Sequence, residues 1–144
     1  MLPPELTEAI EEDHRALDAL LRGDAEPKKK MFSHRPDVSL ANPLGPPVRG
    51  WDKVETTLER VASQVREGQA QRFERISEYA TEGLAYVLEI EHAPGIKVGD
   101  SEESKPFSLR ATTVWRRETD GWKIAHRHAD PITAPRPLES IFES

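Results

Sequence analysis

The stretch SLRATTVWRRETDGWKIAHRHAD, residues 108–130, reads as two strands joined by the turn Glu118-Thr119-Asp120-Gly121. Strand side chains alternate with period two, so Trp122, Ile124, His126, His128 and Asp130 are expected on one face. Lys123, Ala125, Arg127 and Ala129 are expected on the other. A turn that pairs Trp115 with Ile124 adds Ala111, Thr113 and Trp115 to the face of the histidines. That face starts apolar and ends in two imidazoles and a carboxylate. It is the pattern of a strand that packs a core at one end and lines a cavity at the other.

Working back from the hairpin, residues 84–91 (LAYVLEIE) start apolar on both sides and read as a central strand. Residues 73–80 read as its bulged neighbour, and the polar, glycine-bearing residues 93–105 as a surface loop. The first half of the chain carries a helical period instead. Leu6, Ile10, Leu17 and Leu21 recur on one stripe after Pro3 and Pro4, which suit a first turn, and Gly23 ends the run. A short second helix, capped by Asp24, is expected through Met31 and Phe32, with Lys28-Lys29-Lys30 as solvated surface. Asp37 to Asn42 reads as a short strand with Val38, Leu40 and Asn42 on one face. A rigid loop, NPLGPPVRG (residues 42–50), follows it. Trp51, Val54, Leu58, Val61 and Val65 mark a third helix that ends near Arg66. Helices followed by antiparallel strands give an α+β layout, three helices packed on one face of a strongly curved sheet. Such a cone encloses a pocket of the kind that takes small molecules.

Composition narrows the function classes. The 144 residues suit one domain with a substantial core. A formal charge of −6 opposes a phosphate-binding surface, so no nucleic-acid partner is expected. The chain has no cysteine, which excludes disulfides, a thiol nucleophile and cysteine-bound zinc. The absence of a long apolar run and the acidic start MLPPELTEAIEED argue against a membrane span or a signal peptide. A cytoplasmic protein is the expectation. No glycine-rich phosphate loop is present, so no cofactor is implied.

In this order of elements, and in the segments PDVSLANPLGPPVRGW (residues 36–51) and DGWKIAHRHAD (residues 120–130), the chain resembles the nuclear-transport-factor-two-like superfamily. More narrowly it is similar to the SnoaL-like and ketosteroid-isomerase-like branch. The resemblance implies a cystatin-like α+β cone over residues 1–130, a C-terminal tail over 131–144, and a homodimer paired through the outer sheet face. It also permits a comparison with the steroid isomerases. Their general base, an aspartate in an Asp-Pro-hydrophobic-Gly setting, is replaced by Asn42 in Asn42-Pro43-Leu44-Gly45. The positions matching their oxyanion donors carry Ala16 and Thr113. Asparagine abstracts no proton at neutral pH and alanine donates none, so the isomerase mechanism in its known form is not expected.

His126 and His128, about 7 Å apart along one strand face, are the candidate acid–base pair, with Asp130 as an orienting carboxylate. The structural alternative is that they hydrogen-bond to neighbours at a pocket rim. A His-x-His pair could also chelate a metal if His34, Glu91 or Asp130 converged on it, but no second metal motif accompanies the pair, and no metal is expected. Asp130 could equally accept backbone hydrogen bonds before Pro131. Asn42 could orient a ligand or form an Asx turn. Trp51, Tyr86, Thr113 and Trp115 are candidate ligand-binding residues, with core packing as the alternative for the aromatics. Arg110 and Glu91, on adjacent strands, could pair with each other. The functional expectation is a small, mostly apolar ligand in the cone, with proton-transfer, dehydration or cyclisation chemistry. A non-catalytic ligand-sequestering or protein-association module is the alternative.

Overall fold

A computed structural model describes residues 2–143. Its helices are α1 (Pro4–Leu21), α2 (Glu26–Met31) and α3 (Trp51–Gln64), with a 3-10 turn at Leu138–Ile141. Its strands are β1 (Ser39–Ala41), β2 (Val48–Arg49), β3 (Val65–Arg66), β4 (Arg72–Ala80), β5 (Leu84–Val98), β6 (Lys105–Glu118) and β7 (Gly121–Asp130). The sheet runs β2-β1-β7-β6-β5-β3, and β4 pairs with the first half of β5. All pairings are antiparallel except β1 with β7. The helices cover the inner face of this curled sheet, the α+β cone expected from the sequence.

The helices form where apolar residues recur at helical spacing. In α1, Leu6, Ile10, Leu17, Leu20 and Leu21 are buried on one stripe, and Pro4 opens the first turn. In α3, Val54, Leu58 and Ala62 form the buried stripe. These meet Ala85 and Val87 of β5, Trp115 of β6, and Trp122 and Ile124 of β7 in a continuous core. Gly68 marks one close approach, where the loop after β3 crosses the end of α1. An added Cβ there would meet Leu21 Cβ at 2.5 Å and its carbonyl oxygen at 2.7 Å. A side chain could not pass.

Several elements depart from the sequence expectation. The surface loop expected over residues 93–105 shrinks to residues 99–104, because β5 continues to Val98 and β6 begins at Lys105. The rigid loop after β1 contains the short strand β2, and the third helix stops at Gln64, where Val65 turns extended. The solvated Lys28-Lys29-Lys30 is another correction: Lys28 is 1% exposed and Lys29 is buried.

The most consequential departure lies in β7. Val114 pairs with His126 but Trp115 pairs with Ile124, so Ala125 has no partner and forms a β-bulge. One extra residue inverts the alternation beyond it. Trp122 and Ile124 therefore face the core, whereas beyond the bulge it is Arg127 and Ala129 that turn inward. His126, His128 and Asp130 turn to the outer face.

Candidate functional site

A cavity of about 350 Å3 remains between the helices and the inner sheet face. Leu17 and Leu20 of α1, Leu58 and Val61 of α3, Ile96 of β5 and Leu109 of β6 supply its apolar walls. Its rim carries Asn42, Gln64 and Gln71, and Arg127, Glu91 and Lys28 form a charged floor. The size suits a small organic ligand.

The floor is held by paired charges. Arg127 donates from Nη1 to Glu91 Oε2 at 2.7 Å and from Nη2 to Oε1 at 2.8 Å. Glu91 is 3% exposed and Arg127 7%. Lys28 Nζ donates to Asp13 Oδ1 at 2.5 Å and sits 5.2 Å from the centroid of the Phe32 ring. One step further along β5, Glu89 accepts from Arg75 Nε at 2.8 Å and bonds His14 Nε2 at 2.8 Å, while His14 stacks on Phe73. Buried charges persist only when paired and hydrogen-bonded, and this array satisfies that condition.

The pairing sets the protonation states. Burial alone would raise the Glu91 carboxyl, but Arg127, aided by Lys28, outweighs it and holds Glu91 below its ordinary 4.5. Burial lowers the Lys28 ammonium despite the opposing attraction of Asp13, and Arg127 lowers it further. Glu91 is thus a fixed anion at neutral pH.

A carboxylate whose folded pKa lies below its unfolded value stabilises the fold above the unfolded pKa and loses that contribution as pH falls. The denaturation midpoint should therefore hold near neutral pH and drop progressively below about pH 4.5, the ordinary carboxyl value. Glu91→Gln should be less stable at pH 7 with a shallower acid limb. Equal acid limbs in urea melts from pH 7 to 3 would contradict the assignment.

The sequence-based candidates divide between the two faces of the sheet. His126 receives or donates a hydrogen bond at 2.7 Å with Ser39 Oγ on the outer face, and burial followed by its neighbour His128 lowers its pKa. The His128 side chain is 58% exposed, and its ring lies 6.5 Å from that of His126. No cluster of three or more metal-ligating side chains occurs among the described residues. Asp130 accepts from Arg110 Nε at 2.7 Å and from the Ile132 backbone N–H at 3.0 Å, the backbone role considered for it. Arg110 and Glu91 do not pair, because they point to opposite faces. Tyr86 faces outward and hydrogen-bonds Ser77. Trp115 and Thr113 face inward, but Trp115 is packed in the core and neither lines the cavity. Trp51 stacks on His34 at the start of α3, also away from the cavity lining. Asn42 alone of the eight lines the cavity, at its rim, where its Oδ1 accepts from the Leu44 N–H in an Asx turn.

Of the charged residues in and around the floor, Asp13, Glu89 and Glu91 were accessible to sequence reasoning through one signal. Asp13 falls on the apolar stripe of α1, three after Ile10 and four before Leu17, and Glu89 and Glu91 continue the inward alternation of Ala85 and Val87. Charged residues in step with a buried face announce buried pairs.

Comparison with known proteins agrees with this architecture. A family model described as a SnoaL-like domain matches residues 14–134. Among solved structures, a nuclear transport factor 2-like superfamily protein from Salmonella enterica superposes with a TM-score of 0.75 at 20% identity, over 96% of this chain and 95% of that one. A protein of the same family from Streptomyces avermitilis, provisionally assigned as a dehydratase, gives 0.73 at 24% identity over 90% and 95%. A ketosteroid isomerase-like protein from Erwinia carotovora atroseptica gives 0.73 at 18% identity over 92% and 100%. No curated protein matches the chain. At these identities the structural likeness is one of fold.

Proposed function

Because the chain belongs to the SnoaL-like domain family, we propose that its cone binds a small, mostly apolar molecule whose oxygen function is turned towards Arg127 and Lys28. One observation carries this reading: a mostly apolar cavity within the cone ends on a buried cluster of charged donors. A greasy body gains from burial against Leu17, Leu20, Val61 and Leu109, at about 25 cal/mol per Å2 removed from water. A carbonyl or hydroxyl oxygen at the floor finds N–H donors in a low-dielectric setting, where hydrogen bonds to charged groups are strong.

The chemistry this floor supports is proton transfer beside a developing oxyanion. The Lys28–Asp13 pair would move the proton, and Arg127 would stabilise the negative charge. Dehydration and cyclisation both contain such a step, and the provisional dehydratase among the structural neighbours is in keeping with it. The acid–base role thereby passes from His126 and His128 to the floor. Binding without turnover is a second reading, favoured because Glu91 is already paired with Arg127 through both its oxygens. The outer sheet face carries exposed Tyr79 and Tyr86, 65% and 37% accessible, beside Leu84. This strip supports a homodimer paired through that face.

The test is to fill the cavity. Ala129 is buried and lines it, so Ala129→Phe should weaken binding of 2-octanone and octanoate by at least about tenfold, the equivalent of 1.4 kcal/mol, in calorimetry. Tyr86→Ser, on the outer face, should leave the affinity unchanged. Unaltered binding in the Ala129→Phe protein would remove the cone from consideration.

A further inference from the structure

On the outer face, beyond the cone, three neighbouring strands bring together a serine, a histidine and a carboxylate. Ser108 of β6 lies directly across from His92 of β5, and its Oγ is 3.1 Å from His92 Nδ1. The other ring nitrogen, Nε2, is 3.0 Å from Glu74 Oε1 on β4. An ionised carboxylate only accepts, so in the neutral ring Nε2 carries the proton and donates to Glu74. Nδ1 is left with its lone pair and accepts from the Ser108 hydroxyl. The relation is that of nucleophile, base and orienting acid, with the two ring nitrogens in exchanged positions relative to the usual triad.

The cluster opens on a groove of about 660 Å3. His92 and Ser108 line it, so the nucleophile and base face the space, while Glu74 lies outside its lining with a half-exposed side chain. Arg72, directly across β4–β5 from His92, lines the same groove and makes no ion pair among the described residues. Its charge is available to an oxyanion. Ala93, Phe107 and Pro131 provide apolar wall for an acyl chain. Along β5, His92 lies six residues from Tyr86, roughly 20 Å by strand rise, so the groove is separate from the aromatic strip assigned to dimerisation.

We propose that Ser108, His92 and Glu74 form a second site on the outer sheet face that hydrolyses small acyl esters, with Arg72 as oxyanion partner. Ser108 Oγ bonds to the ester carbonyl carbon as its proton passes to His92 Nδ1. The tetrahedral intermediate, its oxyanion facing Arg72, collapses by breaking the bond to the leaving oxygen, which takes the proton from His92. Water then attacks the acyl-serine and gives a proton to His92. Release of the carboxylic acid returns that proton to Ser108. The ester and one water become an acid and an alcohol, and no co-reactant is needed.

The experiment follows p-nitrophenyl acetate hydrolysis by the full chain, together with labelling by a fluorophosphonate probe and peptide mapping. The expected results are turnover above buffer, a phosphonyl adduct on Ser108, and a loss of about 100-fold or more in Ser108→Ala and in His92→Gln, the range that general base catalysis supplies. Both residues are partly exposed, and matching circular dichroism melts would show that the variants remain folded. Absence of turnover in the natural protein, hydrolysis that survives Ser108→Ala, or an adduct on another residue each overturns the proposal.

Discussion

Arg127→Met should cost about 3–5 kcal/mol of folding stability, read from urea denaturation at neutral pH. The substitution keeps an unbranched side chain of similar reach but removes the guanidinium that holds both oxygens of Glu91. Glu91 then loses its hydrogen-bonded partner and keeps only the weaker attraction of Lys28, in a site it cannot leave, since it is 3% exposed and flanked on its strand by the inward Ala93 and Glu89. The double variant Arg127→Met, Glu91→Leu should recover most of that loss. Taking two charges out of water costs nearly as much as their attraction returns, so an apolar pair of similar volume is often neutral or better. Stability regained without the charged floor would mark the floor as retained for function. A double variant no more stable than the single one would instead assign the pair a folding role.

A comparable loss, about 3–5 kcal/mol, is expected for Trp115→Ala. Trp115 is 1% exposed, faces Ile124 across the β6–β7 ladder, and belongs to the core cluster. Removing the indole leaves a void that the surrounding Leu6, Val87 and Trp122 fill only in part. The milder Trp115→Phe should cost less and leave ligand affinity within about threefold, since the indole does not line the cavity. A large loss of affinity in a stably folded Trp115→Phe protein would return this residue to the ligand-binding set proposed from the sequence.

The layers of the fold were legible because two periodicities exchange within the chain. Helical stripes in α1 and α3 give way to alternation in β4 to β7, and the turn before Gly121 pairs Trp115 with Ile124 as expected. The site was not legible for a reason confined to one residue. Nothing about an alanine announces a bulge, yet the unpaired Ala125 exchanges the faces of His126 and Arg127. Counting by twos through it places both histidines inside and the arginine outside. Lys28 was obscured differently. Within Lys28-Lys29-Lys30 it reads as surface, and only the fold brings it against Asp13, fifteen residues earlier in the chain. Asp13, Glu89 and Glu91 did carry a signal, since each occupies a buried phase of its element.

The proposed ligand site is the cone, with Arg127, Glu91 and Lys28 as its floor. The most direct measurement is a methyl-resolved NMR titration of the protein with 2-octanone and with octanoate. Shifts that saturate together at Leu20, Leu40, Val61, Ile96 and Leu109, with outer-face Leu84 and Leu138 unmoved, are the predicted result. Saturable shifts confined to Leu84, Leu138 and their outer-face neighbours, with the cavity methyls silent, would contradict it.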